Sequence, residues 1–167
     1  MPESEEPGSN GDRSIKPLLA VFWITVVIFI MLFSFIFTHH LIPNSNQIFV
    51  YVFFPGVILL TILGIVLIIM AVRAQIRKGL KYSFVLTGVS AVGMPVSAFL
   101  HNVVYALMIY FFGEDFWGGQ DGGDEAVFFI LALIVFPALL ITSAISGAII
   151  LARSSPHIAR RRTPSAG

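Results

Sequence analysis

Four runs of this chain are each long and apolar enough to cross the hydrocarbon of a bilayer, and that leaves few folds open. A spanning helix needs about 20 predominantly apolar residues. The runs cover about residues 18–42, 48–72, 84–112 and 126–152. The third would reach roughly 43 Å at 1.5 Å per residue, so it must tilt, kink or project past the lipid. Only 11% of the residues are charged and 57% are hydrophobic, with a mean hydropathy of +0.91. Soluble domains carry about 25% charged residues. The expected fold is therefore an all-α integral membrane protein, with four transmembrane helices in an antiparallel bundle spanning residues 18–152.

The charges orient that bundle. Arg13 and Lys16 precede the first run, and Arg73, Arg77, Lys78 and Lys81 separate the second from the third. Arg153, Arg160, Arg161 and Arg162 follow the fourth, which accounts for all 10 Lys and Arg. The connections 38–47 and 113–125 have none. Lys and Arg in short loops stay on the cytoplasmic side. Both termini are thus expected in the cytoplasm and loops 38–47 and 113–125 outside, with the cell membrane as the location. Trp23 and Tyr82 fall near the inner interface, and Tyr51, Tyr110, Phe116 and Trp117 near the outer one.

The ends differ in composition. Residues 1–17, "MPESEEPGSNGDRSIKP", are Pro, Gly, Ser and acid-rich and read as a disordered acidic tail. The start is acidic and the run that follows is too long for a signal peptide, so the first run reads as a retained span. Residues 153–167 read as a basic disordered tail. There are no cysteines, which excludes disulfides and thiol chemistry.

Within the spans, polar residues are few. Thr87, Ser90, Met94, Ser97, His101, Tyr105 and Met108 recur at steps of three and four along the third. Asn102 lies beside His101, about 100° round the helix. Ser97, His101, Asn102 and Tyr105 form the candidate polar cluster. His101 is near the middle of its run and reads as deep, where an unpaired polar group costs several kcal/mol. It then faces protein or water. One reading makes it a relay or ligand site. The other makes it interhelical glue, with His101 or Asn102 bonded to Ser143, Ser146 or a carbonyl freed by proline. The spans contain no Asp, Glu, Lys or Arg to complete a relay, which favours glue.

Pro55, Pro95 and Pro137 each deprive the carbonyl four residues back, at Tyr51, Ala91 and Leu133, of its donor. Gly93 and Ser97, and Ser143 and Gly147, are small residues four apart. Such spacing lets helix backbones approach, so Gly93, Ser143 and Gly147 mark the third and fourth helices as the tight pair. The first run carries mostly large side chains and is expected to face lipid.

No catalytic, phosphate-binding or metal motif appears. His39 and His40 lie at the outer end of the first helix, about 10 Å from the expected depth of His101, which disfavours a paired-histidine haem. Neither metal nor cofactor is expected, and no enzymatic role. The first expectation for function is a non-enzymatic accessory, assembly or interaction subunit. Its partners would be the lipid bilayer and other membrane subunits or a second copy of itself, with no nucleic acid. The alternative is a small oligomeric transporter or channel lined by the polar stripe of the third helix. A haem- or metal-binding subunit stands behind both.

Overall fold

The structure, a computed structural model, describes residues 10–38, 41, 49–113, 116 and 126–154. These are helical almost throughout, and four of the helices are long and apolar enough to cross a membrane. Helix α1 is Asn10–Thr38. Helix α2 is Phe54–Arg73, entered through a π-helical turn at Phe49–Phe53. Helix α3 is Lys78–Phe112. Helix α4 is Phe136–Ser154, entered through a helical turn at Ala126–Ile130 and a π-helical turn at Leu131–Val135. The part of residues 1–17 from Asn10 onward is thus helical rather than disordered. Residues 1–9 and 155–167, and with them most of both expected tails, lie outside the described residues.

The helix boundaries follow local chemistry. Between α2 and α3, the Ala74 N–H caps the Met70 carbonyl and Lys81 Nζ donates to the Val72 carbonyl at 2.6 Å. A cation there meets the negative end of the helix dipole. At its other end α3 stops at Gly113, whose φ of 88° suits glycine and whose N–H bonds the Ile109 carbonyl. The three prolines behave differently. Pro55 and Pro137 each follow a π-helical turn by two residues, with Phe54 and Phe136 between. Pro95 sits inside α3 without such a turn.

Two apolar layers hold the helices together. Nearest the basic end, Leu18, Phe22, Leu67, Ala71, Phe84 and Ala144 form one cluster that draws on all four helices. Above it, Phe29, Leu32, Leu60, Ala91 and Leu140 form the second. Helix α3 packs along both α2 and α4, and α1 lies mainly against α2.

Helix α1 departs from the sequence reading. It does not simply face lipid: Leu18, Phe22, Thr25, Val26, Phe29 and Leu32 are buried on one face, while Trp23, Ile24, Val27 and Met31 are exposed on the other. Large residues recurring at three and four pack as well as small ones when the neighbour supplies matching hollows.

The closest backbone approach is also not the expected one. A Cβ placed on Gly88 would lie 2.7 Å from the Gly64 carbonyl oxygen, and one on Gly64 would lie 2.9 Å from that of Gly88. The tight crossing is therefore between α2 and α3. The α3–α4 contact is close as well, but it is made by side chains. Gly93 meets the ring of Phe136, and Gly147 meets Ser83 of α3 and Phe22 of α1.

These contacts set the register. Neighbouring helices run in opposite directions, with Gly64 against Gly88, Phe136 against Gly93 and Leu32 against Gly56. Equal steps outward from each contact bring Val50 level with Asn102, Ala126 level with Val103, and Thr38 level with Val50. So the described parts of α1, of α2 with its entry turn, and of α4 with its entry turns reach to near the level of His101 and Asn102. Helix α3 continues from Val103 to Phe112, about 15 Å beyond the described ends of the other three.

Candidate functional site

Buried polar chemistry lies toward the basic end, not at His101. The Ser83 hydroxyl donates to the Ser143 backbone carbonyl. Thr87 Oγ1 lies 2.8 Å from Ser143 Oγ and also bonds the Ser83 carbonyl at 2.9 Å. Ser143 Oγ in turn reaches the Leu140 carbonyl at 2.9 Å. All three side chains are buried. Three hydroxyls fit here because Gly147 leaves room beside Ser83. The result is a polar clasp between α3 and α4 with its hydrogen bonds satisfied internally, which is structural work. Ser90 Oγ, one turn on, is buried and meets no partner among the described residues.

Most other polar side chains in the spans satisfy themselves. Thr25, Thr61, Thr142 and Ser146 each bond the carbonyl four residues back in their own helix. Asn102 does the same, with Nδ2 donating to the Ala98 carbonyl at 2.8 Å. Glue from Asn102 to Ser143 or Ser146 is therefore not formed, because both serines are engaged nearer the basic end. His101 meets the ring of Phe129 in the helical turn that leads toward α4, with centroids 5.7 Å apart.

The residues of the expected polar cluster occupy different surroundings. Ser97 is buried, His101 half-buried, and Asn102 and Tyr105 exposed. None is deep between four helices. Burial on α3 stops at Ser97, where hollows open between it and its neighbours. Thr38, the last residue of α1, comes level with His101. His39 and His40 themselves lie outside the described residues. Among the described residues no group of three or more His, Asp or Glu converges to hold a metal.

Two adjoining hollows open where burial stops. The larger, about 360 Å³, runs between α1, α2, α3 and α4 from Leu60 and Phe29 outward to Phe53 and Asn102. Its walls are apolar apart from Asn102, and its rim carries the exposed side chains of Phe54 and Phe99. The smaller, about 210 Å³, lies between His101 and Asn102 on α3 and Phe129, Ala132 and Leu133 on α4. Ala98, Asn102, Ala132 and Leu133 line both.

The α4 wall of the smaller hollow is the π-helical turn. There the Phe136 N–H bonds the Leu131 carbonyl, one residue further back than in an α-helix. The Ala132 carbonyl loses its usual donor to that shift, and the Leu133 carbonyl loses its own because Pro137 has no N–H. Such bulges recur at functional sites. Sequence reasoning found the Leu133 carbonyl but not its neighbour, since the shift to Leu131 is not written in a proline alone. It also missed both hollows, which depend on register between helices.

No family model matches the chain, and no curated protein or solved structure matches it either.

Proposed function

We infer that this is a four-span integral membrane protein acting without catalysis, an accessory or assembly subunit that meets its partner through the projecting end of α3. The observation that carries this reading is that end itself. Past the described ends of its neighbours, α3 displays Tyr110, Phe111 and Phe112 at 81%, 69% and 64% exposure. Aromatic side chains are large and stiff, and they dominate the energetics of protein interfaces. A helix extended by ten residues only to present them to water would gain nothing by it. The partner is another membrane subunit or a second copy of the chain.

The alternative, a channel lined by the third-helix stripe, has less support. Thr87, Ser90 and Ser97 are buried, and Thr87 is bonded into the clasp with α4. A photoreactive amino acid at Phe111 should form a protein adduct of discrete mass in native membranes. The adduct should vanish with Tyr110→Ser plus Phe112→Ser, and none should form from Ile58, an exposed position on α2. Adducts to lipid alone at Phe111, or the same protein adducts from Ile58, would remove this reading.

The orientation follows the basic residues. The basic end, with Arg73, Lys78, Lys81 and Arg153, faces the cytoplasm, and the aromatic end of α3 faces outward in the cell membrane. The chain has no native cysteine. An impermeant thiol reagent on intact cells should therefore label Gln120→Cys and spare Lys78→Cys. Labelling of Lys78→Cys alone would invert the orientation.

A further inference from the structure

We propose that the paired hollows beside α3 form a binding site for a lipid with an uncharged, hydroxyl-bearing head and a single flexible chain. The site is separate from the aromatic end of α3 and stands or falls independently of it. The larger hollow is of a size found for small-molecule sites, and its length lies along the helices. Phe29, Leu32, Val57, Leu60 and Met94 give it walls that match an alkyl or isoprenoid chain. Its exposed rim at Phe54 and Phe99 lets such a chain enter sideways.

The polar groups all gather at the outer end, where a head would sit. Asn102 Nδ2 uses one hydrogen on the Ala98 carbonyl, and its Oδ1 accepts from none of the described residues. The Ala132 and Leu133 carbonyls, on the facing wall, have lost their α-helical donors. That set wants a group that donates to a carbonyl and also accepts from an amide. A hydroxyl does both. No Asp, Glu, Lys or Arg lines either hollow, so an ammonium would find no counter-charge there, and a phosphate or carboxylate none but the imidazole of His101 in the smaller one. The π-helical turn thus frees the Ala132 carbonyl, which an unbroken α-helix would have bonded to the Phe136 N–H.

The test uses the full chain in zwitterionic-lipid nanodiscs with a long-chain primary alcohol carrying a mid-chain diazirine. Photolabel should map to peptides covering residues 53–60 and 94–102, and unlabelled alcohol should compete it away. The carboxylic acid of equal length, fully ionised at pH 9, should compete about tenfold less well, as expected for an unpaired charge. Ala98 is exposed and borders both hollows, so Ala98→Trp should fill the site and abolish labelling. Ile58→Trp, outside the hollows, should leave it unchanged. If Ala98→Trp does not fold, Ala98→Leu provides the same reading with less bulk. Asn102→Leu should weaken competition by the alcohol while leaving competition by the matching alkane intact. Label spread evenly over the exposed faces of the helices would overturn the proposal. So would label indifferent to both Ala98 variants, or equal competition by alcohol, acid and alkane.

Discussion

Replacing Gly88 with leucine should separate α2 from α3 and lower stability by about 3 kcal/mol or more, beyond the usual range for overpacking. The added Cβ would sit 2.7 Å from the Gly64 carbonyl oxygen and 2.7 Å from Ile68 Cγ1, with the Ile68 nitrogen 3.4 Å away. Two of those three atoms are backbone and cannot swing aside. The helices themselves must move, and every contact along the α2–α3 seam weakens with them. Close backbone approach is the main source of van der Waals energy between helices in lipid, where the hydrophobic effect gives no preference for a neighbour. Gly79→Leu is the control. It lies on the same helix, but its Cβ would meet only Ile150 Cδ1 at 3.5 Å, an ordinary contact. Thermal unfolding in a mild detergent should show Gly79→Leu near the parent and Gly88→Leu far below it. Equal losses at the two positions would remove the α2–α3 crossing from the account.

The second large effect concerns α1. Phe22→Ala should cost roughly 2–3 kcal/mol, below the range for soluble cores because transfer from water contributes little within lipid. Phe22 is fully buried, its ring 4.6 Å from that of Phe84, and it fills the space beside Gly147. Truncation leaves a hole that rigid neighbours cannot close. Trp23, the next residue, is larger but 46% exposed, about 100° round the helix with its ring edge-on to that of Phe22. Trp23→Ala should therefore be nearly silent in the same unfolding experiment. A Trp23 effect as large as that of Phe22 would mean that α1 has no inward face and is held by its apolar length alone.

These two positions also show what was legible in advance and what was not. Helix number and approximate extent follow from run length, because hydrocarbon thickness sets a minimum that no loop can meet. Packing does not follow so directly. Gly64 and Gly88 are single glycines with no small partner four residues away, so a search for paired small residues passes over them. The signal was present in a weaker form. Gly56, Leu60, Gly64, Leu67 and Ala71 recur at four, four, three and four, and the last four of them are the buried face of α2. In α1 the large side chains hid an equally regular inward face, because size was read as lipid exposure.

His101 and Asn102 illustrate a different loss. The place of His101 near the middle of the 84–112 run suggested depth, but depth is set by the neighbours. The described parts of α2 and α4, with their entry turns, reach only to this level, so a mid-helix histidine becomes a boundary residue. The demand for buried partners falls away with it, and Asn102 is content with a carbonyl of its own helix. No single run of sequence contains that register. It emerges only when Gly64 meets Gly88 and Phe136 meets Gly93.

Depth readings at four positions separate the two placements of α3. Nitroxide labels on cysteines introduced at Val50, Ile62, Asn102 and Tyr110, all exposed positions, report depth through relative collision rates with oxygen and with a water-soluble nickel complex. Ile62 should lie deepest. Val50 and Asn102 should share one depth close to the hydrocarbon boundary, and Tyr110 should lie beyond it among headgroups or in water. The contradicting result is Asn102 as deep as Ile62 with Tyr110 at the boundary. In that case α3 is centred in the bilayer, no end of it projects, and His101 returns to the middle of the membrane.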